Sequence, residues 1–333
     1  MRVALLCGID IGGTKCAVSF GAVTEHDITV LDKQTFPTPE SPELSIQAFI
    51  EVIDAFVEQM GNRQKLEGIG ISCGSPLDSQ EGLILSPPNL AHWQHIDVFA
   101  PFRKKYGVPL GLQNDANACA LAEWKWGAGR GTRNMIFLTF GTGMGAGLIL
   151  DGKLYSGTSD FAGEIGHVRM ADDGPIGFGK AGSFEGFCSG GGIAQLGRTI
   201  ANRLLAEGHP PSFCPTKEHL EQISAKSIGL AAQTGDPVAL DIYQIVARKL
   251  GQGLAILIDV LNPEKIVIGS IFGRQQAILE PVIMEVLRHE ALPRALNVCD
   301  IVPAGLGERV GDYASLTVAH VAAGRSGAHP TGA

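Results

Sequence analysis

Two short glycine-rich segments carry residues that could surround a phosphate group. The first is Gly12-Gly13-Thr14, which follows Asp10, and the second is GTGMG at 141–145. Glycine lets the backbone approach a phosphate closely, with its N–H groups pointing at the oxygens. Either segment alone is equally typical of a plain hairpin turn. Two such segments in one chain favour a phosphate-binding role.

Asp10 stands directly before the first glycine segment. A carboxylate beside a phosphate is repelled unless a cation bridges the two groups. Mg²⁺ suits this place because it keeps several of its waters and binds proteins through one or two carboxylates. The alternative is an aspartate that only caps a turn. The adjacent glycines favour a Mg²⁺ ligand that acts through water.

Two other phosphate-binding motifs are excluded. GTGMGAG at 141–147 has the glycines of a dinucleotide fingerprint, but that motif requires a helix directly afterwards. Here LILDGKL follows, which is typical of a strand and a tight turn. The chain also contains no G-x-x-x-x-G-K-[ST] segment. A Rossmann site and a Walker loop are therefore both excluded.

Asn114 and Asp115 form a polar pair after a predicted strand at 107–112 and before a predicted helix at about 118–126. A carboxylate at the end of a strand could accept a proton from a substrate hydroxyl. The same pair is typical of a turn followed by a helix N-cap, and on the residues alone this interpretation comes first.

The elements around the glycine segments repeat one plan. Apolar runs predict strands at 3–9 and 16–23 around the first segment, and at 134–140 and 146–150 around the second. This weak internal repeat predicts two similar α/β domains that face each other. We predict an N-terminal domain at 1–117, a C-terminal domain at 118–307, a helix at about 308–324 that packs back on the first domain, and a disordered tail at 325–333.

Further elements follow from hydrophobic spacing. Ser41-Pro42 begins an amphipathic helix that reaches Met60, and residues 66–72 alternate as a strand does. A long helix is predicted from 237 to 261, ended by Asn262-Pro263 and followed by a strand at 265–269.

Composition excludes several classes of protein. The 333 residues are 45% hydrophobic, enough for more than one core, and the net charge of −8 argues against nucleic acid as the main partner. No run of 18 apolar residues appears, and the apolar start is interpreted as a strand and not as a signal peptide. Seven scattered cysteines without a Cys-x-x-Cys pair indicate buried thiols in a reducing cytoplasm.

The ordered set of motifs resembles the ROK family of sugar kinases and regulators. The resemblance runs from Ala4 to Ala322. Its landmarks are DIGGTK (10–15), GSP (74–76), SPPNLAHW (86–93), QNDANA (113–118), FGTGMGAGLILDGKLYSG (140–157), GEIGH (163–167), SFEGFCSG (183–190), LNPEKIVIG (261–269) and GLGERVG (305–311). It implies the actin-like, hexokinase-type (ribonuclease H-like) ATPase fold, with two α/β domains and a deep cleft between them.

The resemblance also implies roles for particular residues. Asp115 matches the family's catalytic base, which accepts the proton of the attacking sugar hydroxyl. The residues that match sugar contacts are Gly74, Asn89, Asn114, Asp115, Glu164, His167 and Glu185. Those that match the ATP and Mg²⁺ site are Asp10, Gly12, Gly13, Thr14, Lys15, Gly141, Thr142, Gly143, Gly145, Gly269 and Ser270.

One departure from the family concerns zinc. Many relatives bind a zinc ion through the sugar-contacting histidine and three cysteines, but this chain has Ile176, Phe178 and Ser183 at the cysteine positions. Tetrahedral zinc needs four good ligands, so no structural zinc is predicted. We expect apolar packing of Ile176 and Phe178 to hold His167 toward the sugar instead.

The resemblance therefore predicts ATP-dependent phosphorylation of a hexose, with glucose and its 6-hydroxyl as first choice. N-acetylglucosamine, N-acetylmannosamine, fructose and allose stay open as acceptors. An acetate-kinase-like or actin-like ATPase is disfavoured by the sugar contacts. The alternative of another class is a sugar-sensing regulator without catalysis. Family repressors carry a DNA-binding domain before the DIGGTK-like segment, and since only nine residues precede Asp10 here, a kinase is favoured. A homodimer is expected from the family.

Overall fold

The structure is a computed structural model that describes residues 3–24, 26–61 and 65–324. The predicted disordered tail at 325–333 lies outside the described residues. Packing divides the chain into two compact units. The first holds the described residues up to Arg133, then Gly147–Ala162 and the residues from Glu308 on. The second holds Asn134–Ala146 and Gly163–Gly307. The domain boundaries given above stay a prediction.

The first unit is built on a five-stranded sheet of order β3-β2-β1-β4-β8. Its strands are β1 (Ala4–Ile11), β2 (Lys15–Val23), β3 (Ile28–Pro37), β4 (Leu66–Cys73) and β8 (Leu110–Asn114). The first three strands are antiparallel, and β4 and β8 run parallel to β1. The parallel register sets Asp10 beside Ser72 and Cys73 beside Asn114. Polar residues of three strands are thus brought to one end of the sheet.

Helices cover the first sheet. The elements are α1 (Pro42–Met60), α2 (Phe99–Tyr106), α3 (Asp115–Trp126) and α10 (Val310–Ala322). The apolar stripe of α1 buries Phe49, Ile53 and Phe56, and the Phe56 ring stacks on Phe20 with centroids 3.8 Å apart. Helix α10 lies directly on the strands: a Cβ on Gly70 would be 2.1 Å from the Ser315 carbonyl oxygen, so glycine is required for this approach.

The first unit also contains a small sheet. It contains β5 (Leu77–Asp78), β6 (Leu83–Leu85) and β7 (Gln94–Asp97), in that order. The loop before β7 is anchored by Leu90 and Trp93, which are 5% and 1% exposed. This anchoring holds Asn89 at the surface.

The second five-stranded sheet has the order β11-β10-β9-β14-β15, the same plan as the first. Its strands are β9 (Met135–Phe140), β10 (Met144–Leu150), β11 (Lys153–Tyr155), β14 (Lys265–Ile268) and β15 (Asp300–Pro303). Strand β14 pairs in parallel with β9 and β15. Each sheet thus has a hairpin whose first strand pairs in parallel with a later strand, which confirms the repeat predicted from the sequence.

The second unit adds mainly helices. They are α4 (Phe184–Phe187), α5 (Gly190–Ala206), α6 (Ala225–Gln233), α7 (Pro237–Leu261), α8 (Ile271–Glu290) and α9 (Pro293–Leu296), together with the hairpin β12 (Ile176–Gly177) and β13 (Lys180–Ala181). Helix α7 begins at the Asp236 cap and ends at Asn262 in the left-handed conformation. Its bounds are those predicted from the sequence.

The α/β fold class is confirmed, and one pair of boundaries is corrected. The strand predicted at 107–112 lies at Leu110–Asn114, and α3 begins at Asp115, three residues earlier than predicted. The reason is a cap: the Asn114 side chain accepts a hydrogen bond of 2.8 Å from the Asn117 N–H, which starts the helix immediately after Asn114.

Two further findings concern the chain as a whole. All seven cysteines are unpaired thiols, and six of them are buried, as predicted. Among the described residues, no helix combines the length and apolar character needed to cross a bilayer.

Candidate functional site

The first glycine segment forms the tight turn between β1 and β2. The Gly12 N–H donates to the Lys15 carbonyl oxygen at 3.2 Å, and the Thr38 hydroxyl donates to the Gly12 carbonyl oxygen at 2.5 Å. A Cβ on Gly13 would lie 2.3 Å from the carbonyl oxygen of Asn89. The absence of a side chain at Gly13 therefore lets the loop that carries Asn89 close against the turn.

Asp10 and Asp115 lie at the same end of the first sheet. Asp10 is in β1, and its partner in the parallel register on β4 is Ser72. The Ser72 hydroxyl donates a hydrogen bond of 3.1 Å to Oδ1 of Asp115, the first residue of α3. Ser72 thus links the strand beside Asp10 to the Asp115 carboxylate. Sequence reasoning missed Ser72, although a polar residue inside the apolar run of 66–73 was a usable signal.

Electrostatics couple the two carboxylates. Desolvation, followed by the negative charge of Asp115, raises the pKa of Asp10 to about 7, while Lys33 and Lys15 oppose the shift. Asp115 keeps solvent exposure, yet desolvation by the surrounding protein raises its pKa too, against the hydrogen bond from Ser72. Carboxylates that repel each other in this way are stabilised by a divalent cation.

The residues present fit Mg²⁺ better than they fit a fully protein-ligated metal. Among the described residues, no cluster of three or more His, Cys, Asp or Glu side chains could hold a metal ion. Mg²⁺ does not need one, because it retains waters and binds through one or two carboxylates. Asp10, at the end of β1 with the glycine turn beside it, suits that role.

A cation that the sequence did not indicate stands near Asp10. Lys33 of β3 forms an ion pair with Asp312 in the first turn of α10. Both Lys33 and Lys15 lower the pKa of Asp10, and Lys33 has the larger effect. The end of the first sheet therefore carries positive as well as negative charge.

Asn114 is buried and uses both ends of its amide. Its Oδ1 caps α3, and its Nδ2 donates to the Ser75 hydroxyl at 3.3 Å. Asn114 is thus a helix cap, one of the two interpretations that the sequence offered. Ser75 follows Gly74, which is half-buried and on which a Cβ would lie 3.9 Å from the Cβ of Pro87. Asn114 fixes the start of α3 and with it the position of Asp115.

The second glycine segment lies in the second unit, at the turn between β9 and β10. Gly141 donates to the Gly143 carbonyl oxygen at 3.2 Å, and the Gly190 N–H donates to the Gly141 carbonyl oxygen at 2.7 Å. Gly190 opens α5, whose N-cap is Ser189. The N-terminus of a 17-residue helix therefore lies beside the glycine turn, an arrangement suited to anions. Sequence reasoning missed this helix start, although Ser189 followed by three glycines was a signal.

The remaining residues of this turn are held from two sides. Thr142 is exposed, and the Gly145 N–H donates to the Thr139 hydroxyl at 2.8 Å. A Cβ on Gly141 would lie 3.6 Å from the Ser270 hydroxyl oxygen, so the Gly269-Ser270 turn at the end of β14 adjoins the glycine segment. The segment and the predicted adenosine turn are thus neighbours.

Three predicted sugar contacts of the second unit lie together. Glu185 Oε2 accepts a hydrogen bond of 3.0 Å from the Met144 N–H, which places its carboxylate against the second glycine turn. Desolvation and then the charge of Glu185 raise the pKa of Glu164, and His167 opposes the shift. Glu164 is the N-cap of the 3-10 turn Ile165–His167, His167 is its last residue, and both are exposed. All three side chains can therefore reach a ligand on the surface of this unit.

The expected apolar packing next to His167 is wrong in one respect. Ile176 is 54% exposed and Phe178 75% exposed, so neither side chain is buried. The Phe178 ring does approach His167 edge-on, with centroids 6.3 Å apart. Ser183, at the third cysteine position of the zinc-binding relatives, is buried and caps α4 by accepting from the Gly186 N–H at 3.0 Å. These residues do not fit a tetrahedral zinc ion.

The predicted site residues divide into two groups. The first unit holds Asp10, Gly12, Gly13, Thr14, Lys15, Gly74, Asn89, Asn114 and Asp115. The second unit holds Gly141, Thr142, Gly143, Gly145, Glu164, His167, Glu185, Gly269 and Ser270. Each group is brought together within its own unit.

Two sheets of equal strand order, each with a glycine hairpin between β-strands, define a protein of the actin-like ATPase fold. The chain belongs to the ROK family, whose family model matches residues 6–320. The glucokinase of Streptomyces coelicolor is 31% identical over 93% of this chain and 95% of its own length.

Two further relatives define the range of the family. The xylose repressor of Caldicellulosiruptor bescii is 31% identical to this chain. The matched region covers 70% of this chain and 58% of that repressor. A crystal structure of a ROK family glucokinase from Streptomyces griseus, in complex with glucose and AMPPNP, has a TM-score of 0.74 and 28% identity, with coverage of 96% of this chain and 100% of that chain. Kinases and regulators are thus both relatives, and the sugar kinases match almost end to end.

Proposed function

We propose that this protein is an ATP:hexose phosphotransferase that converts glucose to glucose 6-phosphate. The observation that carries the proposal is the linked pair at the end of the first sheet, where Ser72 donates to Asp115 and Asp10 lies beside the glycine turn. One carboxylate to accept a proton and one to serve a cation are the groups that phosphoryl transfer to a hydroxyl needs. The glucokinase from Streptomyces griseus, crystallised with glucose and AMPPNP, supports the assignment.

Asp115 is the proposed base. Asp115 is an exposed residue at the start of α3, and Ser72 orients its carboxylate. The raised pKa makes the ionised carboxylate a stronger proton acceptor than an ordinary aspartate. In the proposed step, the sugar 6-hydroxyl gives its proton to Asp115 while its oxygen attacks the γ-phosphorus of ATP and ADP leaves.

The glycine turns are the proposed phosphate contacts. Their members are Gly12, Gly13, Thr14 and Lys15 in the first unit and Gly141, Thr142, Gly143 and Gly145 in the second, and Gly269 and Ser270 are the proposed adenosine contacts. Mg²⁺, when bound near Asp10, balances the charge of the phosphates. Lys33 adds a positive charge near the same carboxylate.

The proposed sugar contacts are polar groups that pair with hydroxyls. They are Gly74, Asn89, Asn114, Glu164, His167 and Glu185. Each carboxylate oxygen can accept a hydrogen bond from a sugar hydroxyl, and an amide can donate and accept. Glucose is preferred because several relatives are glucokinases. N-acetylhexosamines, fructose and allose are the competing acceptors.

The proposal includes three properties of the protein in the cell. It acts as a homodimer, its partners are a sugar and ATP with no role for nucleic acid, and it works in the cytoplasm. Seven unpaired thiols suit a reducing compartment.

A sugar-sensing regulator is the second candidate function. It is favoured by the similarity of this chain to xylose repressors. A regulator would bind a sugar without consuming ATP, so the two candidates differ in one measurable quantity.

The test is ADP release by the purified protein with ATP, Mg²⁺ and each of a panel of hexoses and N-acetylhexosamines. We expect strong turnover with glucose and weaker turnover with the others. Asp115→Asn provides the matched inactive control, since it keeps the shape of the side chain. Sugar binding without ADP release by the wild-type protein would replace the kinase with the regulator, and turnover with another sugar alone would replace glucose.

A further inference from the structure

The segment 168–183 connects two proposed sugar contacts, His167 and Glu185. Its exposed residues include Ile176 and Phe178, and it contains only the two-residue strands β12 and β13. A segment with so little regular structure and apolar burial needs other interactions to hold one conformation. Its main-chain carbonyl groups show what these interactions are.

Lys180 holds the end of the segment next to the sugar contact. Its ammonium group donates a hydrogen bond of 2.7 Å to the carbonyl oxygen of His167. Lys180 lies in β13, thirteen residues after His167. This bond therefore connects the hairpin directly to the residue whose imidazole is proposed to contact the sugar.

Arg169 binds three main-chain carbonyl groups of the segment. One guanidinium nitrogen, Nη1, lies 3.3 Å from the carbonyl oxygen of Ala171, 3.4 Å from that of Asp172 and 3.1 Å from that of Ala181. Its backbone forms an isolated bridge with Ser183. One side chain thus ties the two sides of the segment together.

Two helices supply the remaining supports. Gln195 of α5 makes a pair of bonds with Ile176: it accepts from the Ile176 N–H at 2.9 Å and donates to the Ile176 carbonyl oxygen at 2.8 Å. Lys249 of α7 donates to the Met170 carbonyl oxygen at 2.9 Å, and its ammonium group lies 5.3 Å from the centroid of the Phe187 ring. The segment is therefore fixed to α5 and α7 through its own backbone.

These four side chains make hydrogen bonds to the main chain of five residues of the segment and of His167 next to it. Three of them are cations, and hydrogen bonds from charged donors are roughly twice as strong as neutral ones. The positions at which zinc-binding relatives have cysteines carry Ile176, Phe178 and Ser183 here, which do not fit the metal.

We propose that Lys180, supported by Arg169, Gln195 and Lys249, is a positioning residue that sets the affinity for the sugar without a metal ion. Lys180 acts through His167, whose carbonyl group it holds. The inference rests on the proposed function of His167 and Glu185 as sugar contacts. Loss of the Lys180 bond frees the hairpin and lets the imidazole leave its place, while the groups at Asp10 and Asp115 in the other unit stay as they are.

The kinetic test compares Lys180→Met with Lys226→Met, an exposed lysine of α6 as matched control. We expect the KM for the sugar to rise roughly tenfold in Lys180→Met, as loss of a charge-assisted hydrogen bond implies, with kcat and the KM for ATP within about twofold. Lys180→Arg keeps a cationic donor and should restore most of the sugar affinity. Equal sugar KM values in Lys180→Met and Lys226→Met would overturn the proposal.

A second measurement does not depend on activity. In hydrogen–deuterium exchange, the amides of 168–183 should exchange faster in Lys180→Met and in Gln195→Leu than in the wild type or Lys226→Met. The wild-type protection should also survive a zinc chelator, and the purified protein should hold no stoichiometric zinc. The proposal would be overturned if the chelator removed the protection of these amides, or if they exchanged at the same rate in all variants. If no sugar is phosphorylated by the wild type, the proposed function fails, but these exchange rates still decide the inference.

Discussion

The Ser72 hydroxyl donates a hydrogen bond of 3.1 Å to Oδ1 of Asp115, across 43 residues of sequence. This bond opposes the desolvation that raises the pKa of Asp115. Ser72 also neighbours Asp10 in the parallel register of β1 and β4. The bond therefore tunes the proposed base while the register sets its distance from the proposed cation ligand.

Replacement of Ser72 by alanine should change the pH dependence of the reaction. Without the donor the pKa of Asp115 rises further, so the acid limb of the kcat/KM profile should move to higher pH and kcat at pH 7 should fall, roughly tenfold or less. Steady-state rates from pH 5 to 9 measure both effects. Ser45→Ala is the control. Ser45 is also buried, and its hydroxyl donates one hydrogen bond, to the main-chain carbonyl of Ser41. An acid limb that stays in place in Ser72→Ala would mean that the bond does not tune the base.

Replacement of Asp115 by asparagine should abolish most of the chemistry and little of the fold. The amide oxygen can still accept from Ser72 and the Asn114 cap of α3 is untouched, but no proton acceptor remains. Loss of a general base lowers kcat by ~10²–10⁴-fold. Measured kcat and sugar binding by calorimetry should separate, with binding retained. A folded Asp115→Asn variant with wild-type turnover would remove Asp115 from the mechanism.

The elements with strong local signals could be predicted from the sequence. The apolar stripe that ends at Met60 gave the correct helix α1, and the helical stretch from Pro237 to the Asn262-Pro263 stop gave the correct helix α7. The start of α3 was placed too late. Asn114 is equally suited to a turn and to a helix cap, and only its hydrogen bond with the Asn117 N–H shows that it caps the helix. Long helices can thus be predicted from their apolar spacing, whereas the start of α3 depends on a side-chain cap that the spacing does not show.

The polar contacts of the site were the hardest to predict. Lys33 and Asp312 are 279 residues apart, and neither belongs to a motif, so their ion pair has no signal in one sequence. The bonds of Arg169 and Lys180 go to main-chain carbonyl groups, which every residue has, so they leave no pattern of side chains either. The expectation that Ile176 would pack failed because its backbone, and not its side chain, is the part that is held.

Replacement of Gly13 by alanine should distort the first glycine turn. The new Cβ would lie 2.3 Å from the carbonyl oxygen of Asn89, and the backbone there must shift. We expect the free energy of unfolding to fall by about 1–3 kcal/mol, as for other overpacked sites, and the KM for ATP to rise. Thermal unfolding and ATP titrations measure the two effects. Gly311→Ala is the control, because a Cβ there meets nothing within 4 Å and alanine favours the helix. Equal behaviour of the two variants would contradict the tight contact at Gly13.

Replacement of Asp10 by asparagine should stabilise the protein in a pH-dependent way. Desolvation and Asp115 raise the pKa of Asp10 from 3.8 to about 7 in the folded state. The contribution of Asp10 to the free energy of unfolding is therefore fully present below about pH 4 and is lost as the pH rises toward 7, because the ionised form is disfavoured in the folded protein. Asparagine resembles the protonated form and avoids this loss.

The gain in Tm of Asp10→Asn over the wild type, without Mg²⁺, should thus be larger at pH 8 than at pH 5. Added Mg²⁺ should raise the Tm of the wild type at pH 8 and leave that of Asp10→Asn unchanged, because only a carboxylate can serve as the ligand. Asp241→Asn, an exposed residue of α7, should show neither effect. A gain in Tm that is the same at both pH values would show that Asp10 is ionised without cost, and a Mg²⁺ response that survives in Asp10→Asn would place the cation at another residue.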